Sequence, residues 1–190
     1  DPEDPRLKHF QLKNRVGLYG GFIGNETARA QRDWVANETI LSGDIGVPGD
    51  ITDNCYHVFF HNNIAMDNRT CLDGFTITGG NASHVNPGWH QSGGGMYFWG
   101  DFFGTMPVIK NCRFTDNRAV STGGAIYLYG GNHSELNFLL AITDCRFDAN
   151  ASDVGGGAIY AGYHVETTIN RCSFIGNACT LGSGGAIYAA

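Results

Sequence analysis

The sequence predicts an all-β fold, a right-handed parallel β-helix whose coils are about 27 residues long. Three observations predict it: a segment that recurs three times, an alternation of period two inside each copy, and a composition with 28 glycines and only 16% charged residues. An average soluble domain has roughly 25% charged residues, and abundant glycine indicates many turns. Together these features favour short strands stacked in coils over a helical protein.

The recurring segment carries Cys-x-Phe, then Asn three residues after the Phe, then Gly-Gly-Ala-Ile-Tyr. Cys112 and Phe114 share one face because side chains alternate along a strand. Stacking equivalent coils about 4.8 Å apart buries the Phe and Ile of each copy and aligns the Asn side chains in a hydrogen-bonded ladder. The copies run over residues 109–127, 142–160 and 169–188. A weaker fourth copy over 75–97 places Asn81 at the ladder position.

The N-terminal part, positions 1–80, follows the same scheme less regularly, with strands predicted over 16–22, 39–43 and 56–60. We expect one β-helix segment over 1–190, with irregular coils over 1–80 and regular repeats over 81–190. The segment begins just before a strand at 10–12 and stops within a coil. An uncapped coil exposes strand edges, so we expect either further coils in a longer chain or end-to-end assembly of subunits.

Two groups of motifs resemble known families. The Phe-x-x-Asn and Gly-Gly-Ala-Ile motifs resemble the repeats of the chlamydial polymorphic outer membrane proteins. The N-terminal part, 1–80, resembles the wider family of secreted right-handed β-helix repeat proteins. That resemblance rests on Leu18-Tyr19-Gly20-Gly21-Phe22, Gln31-Arg32-Asp33, Thr39-Ile40-Leu41-Ser42-Gly43-Asp44 and Leu72-Asp73-Gly74-Phe75-Thr76-Ile77-Thr78-Gly79-Gly80-Asn81-Ala82. It implies this fold and a surface or secreted protein, often adhesive, and it implies no particular activity.

The six cysteines predict disulfides in an oxidising compartment, because their number is even and no Cys-x-x-Cys of a zinc ribbon occurs. Cys112, Cys145 and Cys172 occupy one repeat position, where Cα atoms about 4.8 Å apart lie within disulfide range. The expected pairs are Cys112 with Cys145, Cys172 with Cys179, and Cys55 with Cys71. Buried free thiols are the alternative.

Six Asn-x-Ser/Thr triplets indicate a secreted glycoprotein at the cell surface or outside the cell. Asn81 and Asn150 are placed at the ladder position, so they are expected to carry no glycan. The glycosylation candidates in loops are Asn25, Asn37, Asn68 and Asn132.

A tyrosine follows the inward Ile of each copy and should therefore point outward. The resulting column contains Tyr97, Tyr127, Tyr160 and Tyr188. An exposed aromatic stripe of this kind stacks on sugars or on a partner protein. The alternative is that loops or a neighbouring subunit cover it.

The sequence predicts no catalytic, cofactor-binding or metal site. Glycoside hydrolysis needs two carboxylates about 5–10 Å apart in one groove, and the acids here do not repeat on one strand face. Asp44, Asp50 and Asp53 form a candidate calcium loop, with a solvated acidic loop as the alternative. His57 and His61 should face the same side of a strand but lie about 13 Å apart, too far to share a metal.

The net charge of −6, without any Lys/Arg cluster, argues against nucleic acid as a partner. No apolar run reaches the roughly 18 residues of a membrane span. The favoured interpretation is a non-enzymatic extracellular structural or adhesive β-helix glycoprotein and candidate filament subunit. Its expected partners are copies of itself, a cell-surface protein or a glycan. There are two rival interpretations. One is a carbohydrate-active enzyme, either a polysaccharide lyase or a glycosidase, and the other is a carbohydrate-binding module that uses the tyrosine column.

Overall fold

The computed structural model describes residues 4–100, 105–131 and 138–190. In these residues the chain forms a right-handed parallel β-helix, in which strands of successive coils pair into four parallel sheets. The described residues contain no α-helix, and three short 3-10 helices lie in the connections, at Pro5–Leu7, Arg29–Gln31 and Trp89–Gln91. The predicted fold class is confirmed.

A full coil passes through the sheets in one order, from sheet 1 to sheet 4. Sheet 1 contains β1 (Gly17–Tyr19), β4 (Cys71–Asp73), β8 (Thr105–Lys110), β12 (Phe138–Thr143) and β16 (Val165–Asn170). Sheet 2 contains β2 (Ile40–Ser42), β5 (Thr76–Thr78), β9 (Arg113–Thr115), β13 (Arg146–Asp148) and β17 (Ser173–Ile175). Sheet 3 contains β6 (Asn81–Ala82), β10 (Arg118–Ala119), β14 (Ala151–Ser152) and β18 (Ala178–Cys179). Sheet 4 contains β3 (Phe59–Asn62), β7 (Met96–Trp99), β11 (Ile126–Tyr129), β15 (Ile159–Ala161) and β19 (Ile187–Ala189).

The coils share a register but differ in length. The separation in sequence between equivalent positions is 27 from Asn150 to Asn177 and 33 from Asn117 to Asn150. One coil earlier, Gly80 precedes Asn117 by 37 positions. The predicted coil length therefore describes only the shortest of these coils, and the others carry longer connections between strands that remain paired.

The corners of the regular coils are made by residues in the left-handed backbone conformation. They recur at three positions, with φ between 51° and 73°: Asn111, Asp144 and Arg171; Asp116, Ala149 and Gly176; Gly123, Gly156 and Gly184. The second glycine of the first two Gly-Gly pairs, Gly124 and Gly157, has another role. A Cβ on Gly124 would lie 2.3 Å from the carbonyl oxygen of Gly157, so only glycine lets the next coil approach this closely.

The core consists of columns that run along the solenoid axis. The rings of Phe114, Phe147 and Phe174 stack with centroids 5.1 and 4.9 Å apart and planes within 6° of parallel. Phe114 and Phe147 are fully buried, whereas Phe174 is half-buried because it lies in the last coil of the structure and is covered on one side. The predicted stacking is confirmed for all three rings, and the predicted burial for two.

The asparagine ladder forms as predicted, with one correction. The Asn117 amide nitrogen donates to the Oδ1 of Asn150, at 3.1 Å, and that of Asn150 donates to the Oδ1 of Asn177, at 2.9 Å. Asn81 is not a member, because it pairs with Arg118 and the ladder position of its coil falls on Gly80. The expected alignment is one residue off because Ile77, rather than a Phe, occupies the position of Phe114 in the fourth copy, and the residue three positions after Ile77 is Gly80.

Candidate binding groove

A groove of about 520 Å³ lies at the corner between sheets 1 and 2. In later coils this corner takes only two residues, for example 111–112 between β8 and β9, whereas the connection between β1 and β2 takes residues 20–39. That connection, the 20–39 loop, extends along the corners of the next coils and forms one wall. The groove is lined by Trp34, Val35, Glu38, Gly74, Phe75, Thr76, Asn111, Cys112, Arg113, Asp144 and Arg146.

Arg32 fixes the 20–39 loop to the solenoid. Its guanidinium forms an ion pair with Asp73 of β4, and the two side chains are only 6% and 2% exposed. The same group donates to the carbonyl oxygens of Gly20 and Asp73, at 3.0 and 3.1 Å. Burial alone would raise the pKa of Asp73, but hydrogen bonds from Arg32 and Asn111 and the charges of Arg32 and Lys110 hold it below its usual value. The carboxylate is therefore ionised and holds the loop by charge as well as by hydrogen bonds.

The neighbours of Arg32 shape the loop locally. Gln31 Oε1 accepts hydrogen bonds from the backbone of Thr27 and Ala28. Asp33 Oδ1 accepts from the backbone nitrogens of Val35 and Ala36, so it caps the turn that follows Trp34. The Gln31-Arg32-Asp33 motif thus consists of two residues that close turns and one that anchors the loop.

Trp34 stands at the rim of the groove and is 38% exposed. The guanidinium carbon of Arg32 lies 4.9 Å from its ring centroid, so a buried and ion-paired cation covers part of the indole. A Cβ on Gly21 would lie 2.6 Å from the Cα of Trp34, and Gly74, at φ 84°, leaves similar space for Arg32. The loop can therefore pack this closely only on glycine, and this close packing places Trp34 at the rim of the groove.

The opposite wall carries two arginines that share a carboxylate. Arg113 and Arg146 are paired residues on neighbouring strands of sheet 2. The Nε atoms of both donate to the same oxygen, Oδ2 of Asp148. The arginine side chains are 45% and 54% exposed, whereas that of Asp148 is 9% exposed.

The other carboxylates of the groove also have partners. Asp144 forms two hydrogen bonds, each 2.6 Å long, with Arg171, and this contact lowers the pKa of Asp144. Glu38 accepts a hydrogen bond of 2.6 Å from the hydroxyl of Thr76. The sequence analysis missed this groove. A signal was present, because aligning the copies of the repeat places an Arg at the same outward position in two of them.

The repeats themselves have a counterpart among known families. The family model of the Chlamydia polymorphic membrane protein repeat matches residues 111–129, 144–162 and 171–190. Three segments of the chain are thus similar to this repeat. They supply the arginine wall of the groove, since Arg113 and Arg146 lie in the first two copies, whereas the 20–39 loop lies outside them. No curated protein and no solved structure matches the chain significantly. No helix in the described part of the chain has the length and apolar character needed to cross a membrane.

The tyrosines that end the repeat form the predicted column on the outer face of sheet 4. From Tyr97 through Tyr127 and Tyr160 to Tyr188, ring centroids lie 5.0, 5.4 and 5.5 Å apart, and neighbouring planes are within 20° of parallel. Phe60 extends the column beyond Tyr97, at 5.1 Å. Each interior ring therefore covers the faces of its neighbours, Tyr97 is only 3% exposed, and burial raises the pKa of Tyr97 and Tyr127. Binding by this column stays a prediction, but it would have to use ring edges and hydroxyls rather than ring faces.

All six cysteines are free thiols in the structure, so the three expected pairings stay predictions. Cys112, Cys145 and Cys172 do form the expected column: the backbone nitrogen of Cys112 lies 3.5 Å from the sulfur of Cys145, and that of Cys145 lies 3.4 Å from the sulfur of Cys172. Elsewhere in the chain, Cys55 and Cys71 are buried and Cys179 is half-buried. Burial raises the pKa of Cys55 to about 12.

The glycosylation candidates differ in exposure. Asn25 and Asn68 are exposed and Asn37 is half-buried, while Asn132 lies outside the described residues. Asn150 is completely buried in the ladder, and Asn81 is 6% exposed with its amide bound to the carbonyl oxygen of Ile51. Asn81 is thus buried through its contact with Ile51 and not, as expected, through membership of the asparagine ladder. The use of these sites stays a prediction.

The two strand histidines lie on opposite sides of sheet 4, contrary to expectation. His61 points into the core, stacks on Phe98 at 4.5 Å and accepts a hydrogen bond from the backbone of Leu12. His57, which precedes β3, contacts the outward column and forms a hydrogen bond of 2.9 Å with His90. Burial lowers the pKa of both His57 and His61 to about 3, so both are neutral. The strand alternation does not extend back to His57, which explains the wrong prediction.

The carboxylates of the candidate calcium loop each accept a hydrogen bond from the backbone of the same loop. Asp44 accepts from the backbone nitrogen of Gly49 at 2.9 Å, Asp53 from that of Val47 at 2.7 Å, and Asp50 binds Thr52. Across the described residues, no group of three or more His, Cys, Asp or Glu side chains is placed to hold a metal ion. The three carboxylates thus have a structural role in shaping residues 44–53.

Proposed function

We propose that this chain is a non-enzymatic, adhesin-type β-helix of the cell surface that binds a saccharide in the groove between the 20–39 loop and sheet 2. Three polymorphic membrane protein repeats support a surface location and an adhesive role. The β-helix provides a rigid scaffold, since each coil is hydrogen-bonded to its neighbours. Self-association into filaments stays a separate hypothesis.

The fixed position of Trp34 carries the proposal. Saccharide sites combine an aromatic surface with nearby polar groups, and they bind more tightly when these groups are positioned before the ligand arrives. Trp34 is partly exposed, and the buried Arg32–Asp73 ion pair holds its loop. Charged and hydroxyl groups, from Glu38 and Thr76 to Arg113 and Arg146, line the same cavity.

The same geometry argues against glycoside hydrolysis at this place. A hydrolase needs one carboxyl whose pKa is raised so that it can donate a proton. In the groove, Arg171 lowers the pKa of Asp144, which is the opposite of what a proton donor needs. Asp144 is therefore suited to remain ionised rather than to act as an acid.

The test is a glycan-binding screen with the purified chain, followed by titration of the glycans that bind. Trp34→Ala should weaken binding by about tenfold or more, as expected when an aromatic anchor is removed. Trp89→Ala is the matched control, because Trp89 is 55% exposed and does not line the groove. Failure of the unmodified chain to bind any saccharide, or unchanged binding by the Trp34 variant, would contradict the proposal.

A further inference from the structure

We infer that the saccharide bound in the groove carries an oxyanion, a carboxylate or a sulfate, and that Arg113 and Arg146 bind it. The inference rests on the proposed function and adds the chemical class of the ligand. Its basis is a pair of neighbouring arginines in the groove that share a single carboxylate.

The two arginines are direct neighbours along the axis. Their strands pair in register, so their Cα atoms are about 4.8 Å apart. In this column they stand between Thr76 of β5 and Ser173 of β17, which carry no charge. Like charges directly opposite each other on paired strands are unfavourable unless an anion lies between them.

Asp148 supplies only one of the two negative charges required. Both Nε atoms converge on its Oδ2, and the carboxylate is almost completely buried. Two guanidinium groups and one carboxylate leave one positive charge. Asp144 does not compensate it, because Asp144 is itself paired with Arg171.

The unused part of each guanidinium has the geometry for an oxyanion. Among the described residues, no hydrogen bond involves the Nη atoms of Arg113 or Arg146, and both side chains line the groove. Binding of Nε to Asp148 fixes each planar group and leaves the edge formed by its two Nη atoms for a second acceptor. Carboxylates and sulfates accept paired N–H bonds from such an edge.

Glu38 places a negative charge at the end of the groove beyond Arg113. It binds Thr76, the residue next to Arg113 in the column, on the side away from Arg146. A ligand with one anionic group at the arginines and hydroxyls towards Glu38 therefore fits the charges, whereas a second anionic group near Glu38 would be repelled.

Calorimetric titration with three probes tests the inference: a galacturonate trimer, the methyl ester of the same trimer, and a galactose trimer sulfated at O6. We expect an anionic probe to bind at least about tenfold more tightly than the ester, and added salt to weaken that binding. Whichever anionic probe binds more tightly identifies the oxyanion.

Arg113→Gln and Arg146→Gln should each lower the affinity for the anionic probe by about tenfold or more. The affinity for the methyl ester should change little. Arg69→Gln is the control, since Arg69 is an exposed arginine that pairs with Asp67 and lies outside the groove. Far-UV circular dichroism checks that each variant is folded. The salt dependence of the unmodified chain is a second readout that needs no variant.

Two negative results have different meanings. In the first, the ester and the acid bind equally well, neither salt nor the arginine variants change binding, and Trp34→Ala abolishes it. This result would overturn the inference of an anionic ligand and leave the proposed function standing. Absence of binding to any neutral or anionic saccharide would overturn the proposed function, and the inference with it.

Discussion

At the scale of single residues, the cysteine column gives three chemically equal side chains unequal surroundings. Cys145 lies between the other two thiols, and hydrogen bonds with both raise its pKa. The half-buried Cys172 accepts a hydrogen bond from Cys145, which lowers the pKa of Cys172 below that of an ordinary thiol. Thiolates are the reactive form of cysteine, so position in the column decides reactivity.

We therefore predict that, in the reduced protein at pH 7, iodoacetamide modifies Cys172 well before Cys55. The thiolate of Cys172 should form at a lower pH than that of Cys55, because the hydrogen bond from Cys145 lowers the pKa of Cys172 and burial raises that of Cys55 to about 12. Mass spectrometry of timed digests measures the order. A Cys112–Cys145 disulfide would remove the hydrogen bond to Cys172 and slow its modification, so the comparison of reduced and oxidised protein also tests that pairing. Faster labelling of Cys55 would contradict the assignment.

A second prediction at this scale concerns glycans. A glycan on Asn150 would require an amide that is fully buried and hydrogen-bonded to Asn177 and to the carbonyl oxygen of Phe114. We expect peptide mapping of the protein from a glycosylating host to find sugar on Asn25 and none on Asn150. Asn150→Gln should destabilise the fold, because each buried group left unpaired costs about 1–3 kcal/mol. Sugar on Asn150 would show that the ladder is not formed when the protein is glycosylated.

At the scale of elements, the 20–39 loop depends on one buried ion pair. Arg32→Leu should lower the free energy of unfolding by about 3–5 kcal/mol, because it leaves the carboxylate of Asp73 buried without its main partner. Arg29→Leu, in which an exposed guanidinium over the ring of Tyr19 is lost, is the matched control and should change stability by about 1 kcal/mol or less. Urea denaturation measures both. Equal effects of the two variants would refute the anchoring role of Arg32.

The same pair makes the loop sensitive to acid. The pKa of Asp73 is lower in the folded protein than in the unfolded chain, where it is about 3.9. Its contribution to stability is therefore fully present above that unfolded value and is lost as the pH falls through the folded value. We expect proteolysis within 20–39 to accelerate below about pH 4 in the unmodified chain. A cleavage rate independent of pH, measured with an acid protease, would contradict this.

Elements also show where sequence reasoning succeeds. The columns of Phe114, Ile126 and Tyr127 follow from alternation inside a repeated segment, because a period of two and a fixed spacing determine both face and register. The anchoring of the 20–39 loop does not follow, since Arg32 and Asp73 are 41 residues apart and no local pattern links them. The burial of the tyrosine ring faces could not be predicted from the sequence either. It depends on how the rings are oriented, whereas alternation predicts only the side of the strand from which each side chain projects.

At the scale of the whole molecule, stability is distributed along a stack in which each coil contacts only its neighbours. Phe147 lies in an interior coil and contacts rings on both sides. Phe147→Ala should therefore cost about 3–5 kcal/mol, the range for a large ring removed from a core. Phe22→Ala, with a side chain 43% exposed, is the control and should cost far less. Thermal unfolding measures the difference, and similar melting temperatures for both variants would argue against an axial core.

The tyrosine column has an optical consequence. The four tyrosine rings are nearly parallel and about 5 Å apart, so excitation energy absorbed by one ring can pass to the next. Trp99 follows Tyr97 by two residues on the same strand and face, so excitation that migrates along the tyrosines has an indole nearby to receive it. Tryptophan emission that arises from excited tyrosines therefore depends on the stacking of the coils, and a decrease in it during unfolding would accompany their separation.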